Sequence, residues 1–310
     1  MRNLLLIIII SICITLLLAA PVYAFNDGPS NLTIVMEYGD TRLPGIKVSI
    51  CRVADLKEVS GTPTYVIVPA FSATGVDFSN LTKEKNLALA TSLNSYALIQ
   101  NIARQTETTD KIGRAVFSNL SAGLYLVAHQ DGASSGYSIA PYLISVPYPV
   151  EGRIREWDYD VVIFPKTEPT KRNIDTISVN VFKIWAQAAT HPESVQVQLY
   201  RNGSVHGDAV TLNAANYWSH KWEGLSAADT WTVDEASVPI GYTKIVSGNS
   251  LVGFIVTNTK NPDIPDPPPP DDHAPKTGDT RSWTAPILLG VAGLVVTIYV
   301  IRKSALRRNP

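Results

Sequence analysis

Between residues 177 and 260 the chain is a succession of short β-branched and aromatic runs separated by turn residues: "ISVNVFKIW", "SVQVQLYRNG", "DAVTLNA", "YWSHKWEGL", "TWTVDEA", "YTKIVSG" and "LVGFIVTNT". Period-two alternation in short, turn-bounded runs predicts an antiparallel β-sandwich. "RNGS" at Arg201–Ser204 is a hairpin turn. A second set lies upstream: "NLTIVMEY", "GIKVSICRV", "RAVFSNL", "GLYLVAHQ", "YLISVPY" and "WDYDVVIFPK". The expected fold class is therefore all-β, two tandem Ig-like β-sandwiches, and 310 residues leave room for both. The first carries a helical insertion, "TKEKNLALATSLNSYALIQNIARQ", in which Leu89, Leu93, Tyr96 and Ile99 fall at helical spacing and are expected to pack on the sandwich.

Phase exposes an anomaly in the later block. Successive strand side chains point to opposite faces. Ile177, Val179, Val181, Lys183 and Trp185 therefore share a face; so do Trp231, Val233 and Glu235; so do Val252, Phe254, Val256 and Asn258. Each apolar face carries one polar residue, and lysine and glutamate are almost never fully buried unless paired. Three readings stay open. The strands end there and the polar tips reach solvent; or Lys183 and Glu235 form a buried ion pair with Asn258 as hydrogen-bond partner; or the three react. An apolar site lowers a lysine pKa and raises a glutamate pKa. A neutral Lys183 amine is a nucleophile. A protonated Glu235 can polarise the Asn258 amide carbonyl, and attack would release ammonia and leave a Lys–Asn isopeptide bond.

The ends carry address signals. Arg2, the apolar run "LLLIIIISICITLLLAA" and the small-residue site "VYA" read as a secretory signal peptide over residues 1–24. Cys13 leaves with it, so the exported chain holds Cys51 alone and no intrachain disulfide; a buried apolar cysteine is expected. "NPDIPDPPPPDDH" is a stiff polyproline spacer, residues 261–273. "APILLGVAGLVVTIYVI", 285–301, is long enough to serve as a transmembrane helix, and the basic tail 302–310 would stay cytoplasmic. A formal net charge of −1 gives no footprint for a nucleic-acid partner.

Sequence and order together resemble known families. The pentapeptide Ala274, Pro275, Lys276, Thr277, Gly278, followed by the apolar span and basic tail, resembles the sortase sorting signal of Gram-positive surface proteins, with Ala274 where leucine is usual. That resemblance implies cleavage between Thr277 and Gly278 and transfer of the threonyl acyl group to an amine. "NVFKIW", "WTVDEASVPIGY" and "FIVTNTK" resemble the lysine strand, glutamate motif and asparagine strand of a Cna-B-type domain. This implies a Lys183–Asn258 cross-link promoted by Glu235. The first block resembles the N-terminal domain of pilin subunits. There Met36, His129 and Thr167 occupy the three comparable positions, so no cross-link is expected in that block. "FPK" resembles the pilin motif whose lysine accepts the next subunit; Lys166 matches, while Phe164 and Thr167 depart.

The expected plan is a pilin N-terminal-type domain over 25–166, a linker over 167–176, a Cna-B-type sandwich over 177–260, the spacer, the pentapeptide 274–278, and the anchor. The resemblance implies a secreted, wall-anchored structural pilin subunit of a Gram-positive surface, with a membrane-held precursor. It most resembles a basal subunit that accepts a shaft at Lys166. Its partners would be sortase enzymes, other pilin subunits and peptidoglycan, with a host or matrix surface as a further candidate. A shaft pilin and a stand-alone adhesin or spacer are the alternatives. No cofactor, metal-ligand cluster or enzymatic turnover is expected.

Overall fold

A computed structural model describes residues 28–60, 62–129, 136–150, 156–170, 175–188 and 190–262. The stretches read as signal peptide and sorting pentapeptide, most of the proline-rich stretch, the apolar run and the basic tail lie outside the described residues. Among the described residues no helix is long and apolar enough to cross a membrane.

The first sandwich is built from β1 (Ser30–Val35), β2 (Lys47–Val59), β3 (Thr62–Ile67), helix α1 (Lys83–Ile99), β4 (Gln105–Thr108), β5 (Arg114–Leu120), β6 (Gly123–His129), β7 (Tyr137–Ile139), β8 (Tyr142–Val146), β9 (Asp160–Ile163) and β10 (Thr167–Pro169). One sheet runs β9-β1-β5, with β1 parallel to β9 and antiparallel to β5. The other runs β8-β6-β2-β3, with β4 also on β2, and β10 pairs with β7. Between the two main sheets Leu32, Ile34, Met36, Val48, Ile50, Phe117, Val127 and Val161 form a dry core. The stretch read as one strand, "WDYDVVIFPK", breaks at Tyr159, and Phe164–Lys166 lie outside any strand.

The second sandwich contains β11 (Thr176–Ala186), β12 (Ser194–Arg201), β13 (Ser204–Asn213), β14 (Ser219–Ser226), β15 (Trp231–Glu235), β16 (Tyr242–Asn249) and β17 (Gly253–Lys260). Its sheets run β14-β11-β17-β16 and β13-β12-β15. β11 and β17 are adjacent and parallel, so the early and late strands of the block meet at its centre. Val179, Val181, Val197, Leu199, Leu212, Trp231, Val233, Phe254 and Val256 fill the space between the sheets.

Helix α1 does more than cover its own sandwich. Thr82 caps it by accepting from the Lys85 N–H at 3.2 Å. Leu89, Leu93, Tyr96 and Ala97 pack on Cys51, Val53, Leu124, Leu126 and Leu143 of the first sandwich, and the same apolar cluster contains Phe182, Ile184 and Ile255 of the second. Both flanking sheets are therefore dry on two faces. That is why β6 is buried from Gly123 to Ala128, and why "VFKI" in β11 is buried at four successive positions. Two glycines allow this close approach. Gly253 has φ +93°, and a Cβ there would lie 2.6 Å from Ser95 Oγ; a Cβ on Gly248 would lie 2.1 Å from the Gly253 carbonyl oxygen.

Candidate functional site

Lys183, Glu235 and Asn258 are 2%, 4% and 0% exposed in the core of the second sandwich. Lys183 sits on β11 opposite Val256 of β17, and Asn258 sits opposite Trp185, so lysine and asparagine are diagonal neighbours on one face. Glu235 ends β15 in the facing sheet, opposite Val197 of β12. Asn258 Nδ2 donates to Glu235 Oε1 at 3.0 Å and ties the sheets together. Asn258 Oδ1 and Glu235 Oε2 are buried and take no partner among the described residues. An amide presents a donor and an acceptor on one planar group. Turned about its Cβ–Cγ bond, Asn258 would offer its oxygen to a protonated Glu235.

The Lys183 amine donates to the Ile184 carbonyl at 2.8 Å and lies 3.9 Å from the centre of a Trp185 ring. That indole is itself covered: His191 stacks on it at 5.0 Å, and Trp218 and Tyr242 meet it edge-on. The aromatic cluster walls the amine away from bulk solvent. Burial pushes the Lys183 ammonium down to about 7, against the pull of the Glu235 charge. Burial raises the Glu235 carboxyl, opposed by the Asn258 hydrogen bond and by the charges of Lys183 and Lys244. Burial thus drives each member toward its neutral form, a nucleophilic amine beside a proton-donating acid.

Asp234 and Lys244 belong to the surroundings of this site and were not singled out by the alternation analysis. Lys244 Nζ donates to Asp234 Oδ1, and Lys244 lies directly opposite Asn258 in the β16–β17 ladder. The signal was present in "YTKIVSG": Lys244 is in phase with Tyr242 and Val246, which both turn inward.

Lys166 lies elsewhere. It follows β9, is 87% exposed on its side chain, and donates to Glu168 Oε1 at 2.7 Å. It lines a largely apolar groove of about 790 Å³, whose walls include Leu87 of α1, Tyr142 and Ile144 of β8, and Val162 and Phe164. β8 and β9 are the outer strands of their sheets, so the groove runs along the open side of the sandwich. Met36 is buried in the first core, His129 ends β6 half-buried, and Thr167 is buried with its hydroxyl donating to the Pro165 carbonyl at 3.2 Å. These three positions supply no amine, carboxyl or amide. Cys51 is buried, and burial pushes its thiol up to about 11. Among the described residues no group of His, Cys, Asp and Glu could hold a metal ion.

Residues 179–259 match the family model of the Cna protein B-type domain, so this sandwich has that fold. The collagen adhesin of Staphylococcus aureus is 33% identical over a 138-residue alignment that covers 40% of this chain and 12% of the adhesin. The chain thus spans about an eighth of that relative's length. Among solved structures, a single B repeat unit of the collagen binding surface protein of Staphylococcus aureus aligns with 76% of this chain and 98% of its own, at 18% identity and a TM-score of 0.36. The major pilin SpaD of Corynebacterium diphtheriae aligns with 77% of this chain and all of its own, at 13% identity and a TM-score of 0.31. The shaft pilin spaA of Lactobacillus rhamnosus GG aligns with 76% and 100%, at 12% and 0.29.

Proposed function

We propose that the chain is a structural, non-enzymatic pilin subunit of a Gram-positive surface, attached to peptidoglycan by a sortase and stapled internally by a Lys183–Asn258 isopeptide bond. One observation carries the staple: an amine, a carboxyl and an amide buried together in an otherwise apolar core, each in a position where an unreacted polar group is expensive. Neutral Lys183 Nζ attacks Asn258 Cγ while protonated Glu235 holds the amide oxygen. The C–N bond to Nδ2 then breaks, and Glu235 carries a proton from Nζ to the leaving nitrogen. One N–C bond forms, one breaks, and ammonia leaves; no oxidant or cofactor enters. Each molecule reacts once.

Intact mass of the recombinant chain tests this. A deficit of one ammonia that vanishes in Lys183→Ala and in Glu235→Ala is the expected result. A full, uncorrected mass in the unmutated chain sinks the staple.

Assembly rests on Lys166 and the carboxy-terminal signal. The amine is exposed and belongs to a residue lining an apolar groove, which supports its use as the acceptor for another subunit's threonyl acyl group, in the manner of a basal subunit receiving a shaft. Thr277 would be the residue joined to the wall. Surface extracts should then show a high-mass ladder that disappears in Lys166→Ala. A ladder unchanged by that substitution removes the acceptor role. The stand-alone surface adhesin is then favoured, a reading the similarity to a collagen adhesin already supports.

A further inference from the structure

Glu235 is flanked by a second pair of charges that none of the cross-link chemistry above uses. Asp234 lies on β15 and Lys244 on β16, and these are the outer strands of opposite sheets. Their ion pair therefore closes the side of the sandwich. Asp234 Oδ1 also accepts the Glu235 backbone N–H at 2.9 Å, so the carboxylate that holds Lys244 also holds the strand end bearing the acid. Lys244 in turn is the ladder partner of Asn258. One surface pair thus grips the backbone of the acid strand and the neighbour of the amide strand, a short step from the Asn258–Glu235 hydrogen bond.

We infer that the Asp234–Lys244 pair is a cross-sheet clamp of positioning residues that sets the approach of Glu235 to Asn258 and holds two opposite charges beside the acid. The inference rests on the isopeptide reading. The two roles can be separated because the pair is two opposite charges. The titratable and charged groups facing Glu235 are Lys183 from β11, Lys244 from β16 and Asp234 from its own strand; β12 and β17 present Val197 and Asn258. Lys244 alone would pull the Glu235 proton off, and Asp234 alone would hold it on; side by side they act on the acid in opposite directions. A lysine at this rim would otherwise work against the chemistry it adjoins.

Chain recovered from inclusion bodies, and shown by intact mass to retain its ammonia, is diluted from denaturant into buffers from acid to alkaline pH, and loss of ammonia is followed by intact mass after acid quenching. The rate should fall on the alkaline side as Glu235 deprotonates. Lys244→Met should move that alkaline limb to higher pH and Asp234→Asn should move it to lower pH, each by at least about half a unit. The double variant should place the limb between those of the two single variants, slowed by the loss of the clamp, and Lys244→Arg should restore both rate and limb. Far-UV circular dichroism checks refolding, and Lys244→Gln replaces Lys244→Met if the latter does not refold. A purely structural pair would slow both single variants without moving their limbs in opposite directions; limbs that stay put, or move together, overturn the clamp while leaving the cross-link standing. An unmutated chain that never loses ammonia overturns both.

Discussion

Asn258 on β17 donates a 3.0 Å hydrogen bond to Glu235 on β15, from one sheet of the second sandwich to the other, through a core otherwise made of valine, leucine, phenylalanine and tryptophan. A neutral amide and a carboxyl with its proton fit that setting; a bare carboxylate does not. The same contact, one rotation of the amide away, is the geometry from which a cross-link can form.

Glu235→Gln keeps the shape of the acid and removes its proton. The expected outcome is a chain that folds, retains its ammonia by intact mass, and melts at lower temperature than the unmutated protein. The lost bond would have closed a loop from residue 183 to residue 258, and cross-links of that span typically contribute about 2–5 kcal/mol.

Asn258→Ala leaves Lys183 buried and unreacted, and this makes stability depend on pH. The folded-state pKa of Lys183 is lowered to about 7 from its ordinary 10.5. Between those values the unfolded chain binds the proton and the folded chain does not, so stability rises with pH. The contribution is fully present above 10.5 and is lost as pH falls toward 7. Urea titrations of Asn258→Ala from pH 7 to 10 should show the rise, and Lys183→Met in the same background should flatten it.

Gly253→Ala should weaken the contact between α1 and the second sandwich. The residue has φ +93°, and its new Cβ would lie 2.6 Å from Ser95 Oγ. Backbone strain and overpacking together predict a loss of roughly 2–4 kcal/mol, read by denaturant unfolding. Adding Ser95→Ala should recover part of it by removing the hydroxyl but not the strain.

Lys166→Ala should leave stability unchanged within about 0.5 kcal/mol, because its ion pair with Glu168 is solvent-exposed on both sides. Unaltered thermal unfolding beside an altered surface ladder would assign the defect to assembly and not to folding.

Cys51 should resist alkylation in the folded protein. It is buried, and burial pushes its thiol up to about 11, so little thiolate exists at neutral pH. Labelling with iodoacetamide should appear only as the chain unfolds, and its rate should track the unfolding equilibrium.

Alternation by itself determined a great deal. The phase of "VFKIW", "TVDEA" and "FIVTN" puts Lys183, Glu235 and Asn258 on apolar faces because the side-chain period of a strand is two. Nothing in that period says which strands are neighbours. Tertiary structure decided that β11 lies parallel to β17 with Lys183 and Asn258 diagonal, and that β15 brings Glu235 from the facing sheet. It also decided that Lys244 reaches Asp234 around the open side of the sandwich, a contact between strand edges that no single-strand pattern encodes. The helix tells the same story. Its stripe of Leu89, Leu93 and Tyr96 was legible at helical spacing. Its second client was not, because Phe182, Ile184 and Ile255 read as ordinary strand residues until the fold shows a helix packed against the outside of their sheet. Periodicity is local and was written in the chain; the choice of partners depends on long-range burial, and the folded structure makes it.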